Sequence, residues 1–286
     1  MFRATKEVLN VVYFSWLGYM SPVPVFKKPG SYTKEEIVVR RIGTRELRIR
    51  LYYGKKKRDA VIVAIHGSGF TGRFEGDPPV LGFVDDVTIA LVEHRGSSDG
   101  GTFPDALHDV VEAVRYLEDN GFKKFGVYGD SSGGWFASML GVLSARDNDI
   151  STTPPPISCV VALFPPVKFD VMDEQSDPKF QVAMHAPKGS FESKFMGFSV
   201  AEKPVDHASP LTYVTPDTPP FFVVAGTKDP CVPCAQSKML FDTLEKAAPG
   251  KHHYTEIPGA GHGGPKFAQP DLVSSIFDFY KLHLDL

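Results

Sequence analysis

The sequence predicts an α/β fold, a mostly parallel, twisted sheet with helices on both faces. Three observations carry that reading. From residue 60 onward, short apolar runs alternate with segments whose apolar residues recur at helical spacing. The short runs are apolar at nearly every position, the pattern of strands covered on both faces. The composition, 42% hydrophobic and 23% charged in 286 residues, is that of a globular chain able to bury one large core.

In chain order, the apolar stretch Val8 to Met20 reads as an N-terminal helix, and Ser21 to Gly30, with three prolines, as a connector. Residues 1–35 therefore form an N-terminal helix and connector, a candidate cap element, ahead of a domain over 36–286. Glu36 to Ile42 and Glu46 to Tyr53 are β-rich runs around Gly43-Thr44-Arg45, a hairpin whose solvated exit is Lys55-Lys56-Lys57-Arg58. Strands follow at Ala60 to Ile65 and Val87 to Glu93. A helix spans Ala106 to Asn120, with Leu107, Val110, Val111, Val114 and Leu117 on one face. Strand Phe125 to Tyr128 leads through a glycine-rich turn into a helix from Ser132 to about Arg146. Strands Ser158 to Phe164 and Phe221 to Ala225, helix Ala235 to Ala248, strand Tyr254 to Ile257 and helix Leu272 to His283 complete the alternation. Pro166 to Pro210 breaks it. This stretch has no clear period and carries Phe169, Phe180, Phe191, Phe195 and Phe198, so it reads as a cap inserted over the carboxyl ends of the strands.

Charge and cysteine content remove several classes. With 31 basic against 34 acidic residues, the net charge of −3 lacks the basic surplus that draws a protein to nucleic acid. Three cysteines are too few for a disulfide framework, and Cys231-x-x-Cys234 without a second pair does not make a four-ligand metal site. The apolar stretch Val8 to Met20 is too short to span a bilayer. Arg3 and Lys6 ahead of it would suit a signal peptide, but Glu7 borders it and no small-residue cleavage site precedes Pro22, so a cytoplasmic location is expected.

The chemistry concentrates at predicted strand ends. Gly129-Asp130-Ser131-Ser132-Gly133 is a Gly-x-Ser-x-Gly placed between a strand and a helix, where Ser131 would project its hydroxyl from a tight turn. A serine hydroxyl needs a base and a carboxylate to orient that base. His262, in Gly259-Ala260-Gly261-His262-Gly263-Gly264 after the last strand, is the candidate base ahead of His66 and His94. Asp229, just beyond the strand Phe221 to Ala225, is the candidate acid; Asp206, in the irregular stretch, is the runner-up. His66-Gly67-Ser68-Gly69-Phe70 follows a strand directly, so Ser68 and Gly69, with Ser132, are candidate amide donors to an oxyanion.

These motifs, with Arg95, Phe103-Pro104, Asp109, Ala208-Ser209-Pro210, Asp229-Pro230-Cys231-Val232-Pro233 and Gln236-Ser237, resemble the α/β-hydrolase superfamily over residues 58–280 or so. Within it the chain looks most like the esterase branch of hormone-sensitive-lipase-like and bacterial feruloyl-esterase-like carboxylesterases. Ser68 departs from that pattern, which usually carries glycine there. The resemblance implies the α/β-hydrolase fold, an order of Ser131, Asp229 and His262 along the chain, and hydrolysis of carboxylic esters through an acyl-serine, with no cofactor and no metal. The expected partner is a small ester molecule. A homodimer is compatible with the reading, whereas nucleic acid and stable membrane insertion are not expected. The same machinery would serve an amide hydrolase such as an arylformamidase or peptidase, and a non-catalytic ligand-binding protein on this fold is the alternative of a different class.

Overall fold

The computed structural model describes residues 20–56, 58–72, 76–145, 153–179, 181–182 and 184–286. The helix expected over Val8 to Met20 lies, Met20 apart, outside the described residues, as do Arg146 and Phe180. Eight strands form one sheet: β1 (Thr33–Ile42), β2 (Arg45–Tyr53), β3 (Ala60–Ile65), β4 (Thr88–Val92), β5 (Lys124–Asp130), β6 (Cys159–Leu163), β7 (Phe221–Gly226) and β8 (His253–Ile257). Their spatial order is β1-β2-β4-β3-β5-β6-β7-β8. β1 and β2 are the expected hairpin, β2 runs antiparallel to β4, and the other pairings are parallel.

The central strands are apolar throughout because each face has its own core. Val61, Val63 and Ile65 of β3 and Val127 of β5 pack with Phe70, Trp135 and Phe136 on one face. Ile62, Ala64 and Tyr128 pack on the other with Phe26, Phe83 and Tyr280. Helices α1 (Asp105–Asp119), α2 (Ser132–Ser144) and, beyond the insertion, α4 (Cys234–Ala247) supply the first layer, and α5 (Pro270–Leu284) supplies the second. The outer strands differ: β1 and β8 carry exposed polar residues, as strands at a sheet edge do.

The chain order reverses direction across the sheet between β3 and β5, and a crevice at the carboxyl ends of strands on either side of such a reversal is where this architecture binds ligands. Over that crevice lies 166–210, which is less irregular than its sequence suggests. It contains a turn of helix at Met172–Gln175 and a short helix α3 (Phe191–Met196) capped by the Ser190 hydroxyl, which accepts from the Ser193 N–H at 3.0 Å. Both are too short to show a period.

Its base is tied to the sheet domain. The buried Gln236 side chain of α4 accepts from the N–H groups of Val167 and Lys168, each at 2.7 Å, and Ser209 donates to the Val167 carbonyl. Trp135 Nε1 donates to the Ala208 carbonyl at 2.8 Å. Phe169 and Phe195 are buried in one aromatic cluster with Phe70 and Trp135, and Phe198 packs at its margin. These rings anchor the insertion; of the five phenylalanines, Phe191 is the described one that faces the crevice.

Candidate active site

Ser131 closes the turn between β5 and α2 with φ 53° and ψ −125°, a conformation costly for a residue with a side chain. Its neighbours allow it. A Cβ at Gly129 would collide with the Gly133 carbonyl, and one at Gly133 with the Ile65 carbonyl, so only glycine fits at either position. Ser131 N–H donates to the Leu163 carbonyl at 2.9 Å, tying the turn to β6.

His262 Nε2 lies 2.9 Å from Ser131 Oγ, and its Nδ1 lies 2.7 Å from Asp229 Oδ2. The Asp229 carboxylate is wholly buried, and its Oδ1 accepts from the N–H groups of Cys231 (2.8 Å) and Val232 (2.9 Å), which fixes its orientation. The His262 loop is held in turn from the N-terminal side, where Met20 and Ser21 pair in parallel with His262 and Gly263. Phe164 packs against the imidazole with ring centres 4.6 Å apart. The runner-up acid, Asp206, is exposed and bonded to Lys168 Nζ at 2.6 Å, away from the histidine.

The glycine-bearing loop after β3 stands beside the serine as expected. Ser68 N–H, however, donates to the Ser132 hydroxyl oxygen at 2.9 Å, so this amide is occupied by a side chain across the turn. The sequence offers Ser68 and Ser132 as amide donors to one oxyanion but not the bond between them. Asp130, next to the nucleophile position, is pushed up to about 6 by burial, against the opposing pull of His262 and the Gly67 N–H. Burial likewise holds His66 down to about 3 and His94 to about 4, so both are neutral structural rings at the base of the site.

These groups open into a cavity of about 380 Å³ lined by Ser131, His262, Gly67 to Phe70, Val23, Pro166, Phe191 and Val232. All three cysteines are free thiols. Donor atoms of Asp229, Cys231 and His262 lie within 4.8 Å of one another, but the aspartate and histidine already spend theirs on each other.

A serine, a histidine and a buried carboxylate in hydrogen-bond sequence can activate a hydroxyl for attack on a carbonyl. Residues 47–244 match the sequence model of the BD-FAE family. The chain belongs to the BD-FAE family. It is 27% identical over 222 residues to esterase LipQ of Mycobacterium tuberculosis, covering 72% of this chain and 50% of that relative, so it spans about half the length of the protein it matches. Among solved structures it resembles a truncated carbohydrate esterase from gut microbiota, with a TM-score of 0.72 at 21% identity, covering 92% of this chain and 100% of the other. Esterase B from Lactobacillus rhamnosis superposes with a TM-score of 0.70 at 16% identity, covering 98% and 92%. At those identities the likeness is one of fold, and the fold is that of the α/β-hydrolases.

Proposed function

We propose that this BD-FAE family chain is a serine carboxylesterase, acting on small or medium acyl esters through an acyl intermediate on Ser131. The observation that carries the reading is the unbroken hydrogen-bond line from Asp229 through His262 to Ser131, ending in a cavity. As Ser131 Oγ attacks the ester carbonyl, His262 Nε2 takes its proton. Asp229 accepts the Nδ1 proton in a hydrogen bond, holding the tautomer and stabilising the imidazolium. The oxyanion draws on the N–H groups of Gly69 and Ser132, while the Ser68 amide keeps the Ser132 side chain in place and becomes a third donor when that hydroxyl turns aside. His262 then hands its proton to the departing alcohol. Water, deprotonated by the same histidine, attacks the acyl-serine, and release of the acid restores Ser131.

Family membership and the esterase names of the relatives favour an ester over an amide, which the same residues would also attack. The deciding experiment compares p-nitrophenyl esters with matched anilides, using the wild-type chain and Ser131→Ala. Esters should be cleaved faster than anilides, and Ser131→Ala should keep less than about a hundredth of the rate. Faster anilide cleavage would make the chain an amide hydrolase, and turnover surviving in Ser131→Ala would remove the serine from the chemistry.

A further inference from the structure

The roof of the cavity holds a buried pair that the reaction above does not use. His185 Nδ1 lies 3.0 Å from Glu192 Oε1, with the two side chains 3% and 6% exposed, and both residues line the cavity. Glu192 Oε2 is buried with no hydrogen-bond partner. A buried carboxylate oxygen left without a donor is costly and uncommon in a folded protein.

Holding the insertion together does not call for the pair, because other groups do it. Asp173 accepts from Gln181 Nε2 (2.8 Å), His185 N–H (2.9 Å) and Ala186 N–H (2.8 Å), and the Ser199 hydroxyl donates to the Ala186 carbonyl at 2.9 Å. These bonds present His185 and Glu192 on a rigid support. The pair shares the cavity with Ser131, and its neighbours reach two sides of the site. On one side Phe191 packs on the oxyanion loop, where a Cβ at Gly69 would stand 2.8 Å from the ring. On the other, Glu192 lines the cavity together with Cys231, whose thiol is pushed up by burial first and then by Asp229 and Glu192, and Cys231 is two residues from Asp229. Burial disfavours a charged His185, but the Glu192 carboxylate, helped by Asp173 and the Cys231 backbone, outweighs it and raises the histidine pKa.

We propose that Glu192, oriented by His185, is a substrate-recognition residue whose free Oε2 accepts a hydrogen bond from a hydroxyl group carried close to the scissile ester. This rests on the esterase reading and narrows it to hydroxyl-bearing esters. An approaching carboxylate would meet a like charge, and a purely apolar chain would leave the oxygen unpaired. The hydroxyl can belong to the acyl part or to the alcohol part, since the pair lines the cavity that both parts would enter.

Two matched substrate pairs separate these sources: p-nitrophenyl butyrate against p-nitrophenyl 3-hydroxybutyrate, and propyl butyrate against 2-hydroxypropyl butyrate. The readout is the ratio of kcat/KM for hydroxylated over plain ester, taken within each protein, so a general loss of activity cancels. Wild type should favour the hydroxylated member of at least one pair by about tenfold, as expected for a hydrogen bond to a charged acceptor. Glu192→Gln and Glu192→Leu should bring that ratio close to one, with His185→Gln between. A wild-type ratio near one in both pairs overturns the proposal, and so does a preference that persists in both Glu192 variants. Failure to cleave any of the four esters would instead count against the esterase reading itself.

Discussion

Ser131 is the residue on which the local rules are most visibly broken: a side-chain-bearing residue at φ 53°, held between glycines that admit no Cβ. Such strain persists only where surrounding contacts enforce it, here the bond to Leu163 and the packing of α2 against β5 and β6. The proposed acid is set apart from its rival by its environment. Asp229 is buried with two amide donors and the histidine, whereas Asp206 is exposed and serves Lys168. Asp229→Asn should therefore lower kcat by about ten thousand-fold, because the histidine loses its orienting partner. Asp206→Asn should stay within about twofold of wild type. Kinetics on one p-nitrophenyl ester with both variants decides the matter, and a larger loss at Asp206 would reverse the assignment. These residues were legible in the sequence because each stands just beyond an apolar strand among glycines or prolines. The Ser68 to Ser132 bond and the His185 to Glu192 pair were not, since each depends on how separate loops face one another.

Among elements, the insertion is the one whose role its sequence described least well. Its phenylalanines suggested a cap over the strand ends, but Phe169 and Phe195 are spent on the aromatic cluster around Phe70 and Trp135. Helices of four and six residues leave no periodic trace, whereas the long strands and helices were readable to within a residue or two, except β1, which begins at Thr33, three residues before the expected Glu36. Gln236 is the hinge pin of this arrangement, and Gln236→Leu would strand the buried N–H groups of Val167 and Lys168. Urea unfolding should show a loss of about 2–6 kcal/mol, from about one to three for each of the two orphaned groups; a loss under about 0.5 kcal/mol would mean the insertion is held elsewhere. The roof over the cavity also bears on substrate size. Each methylene that fits adds up to about 0.8 kcal/mol, so kcat/KM over p-nitrophenyl esters from acetyl to dodecanoyl should climb, peak at six carbons or fewer, and fall. A rate still rising at eight to twelve carbons would describe an open groove instead.

For the whole molecule, the layered core sets how stability responds to acid. Burial first of all holds His66 down to about 3, His94 to about 4 and His252 to about 4, so the folded chain keeps these rings neutral where the unfolded chain protonates them near 6.5. Below 6.5 the unfolded state thus binds more protons at these three sites, and stability falls with pH until the folded rings titrate near 4. Asp130, raised to about 6, works the other way between 4 and 6, because its folded form binds the extra proton. Three groups against one leaves about two protons and a slope of about 2–3 kcal/mol per pH unit near pH 5. Urea midpoints from pH 7.5 to 4.5 should fall accordingly, and His252→Gln, far from the serine, should flatten the slope by about a half, since it removes one of the two net protons; midpoints rising toward pH 5 would contradict the sign. The larger claim is that the sheet, its turns and its insertion converge on one reactive hydroxyl, and it is tested most directly by intact-mass measurement after exposure to a fluorophosphonate. The wild-type chain should gain one phosphonyl group, located on Ser131 by peptide mapping, and lose ester hydrolysis in step with labelling, while Ser131→Ala stays unlabelled. A wild-type chain that stays unlabelled while hydrolysing esters, or a label on any other residue, would contradict the account.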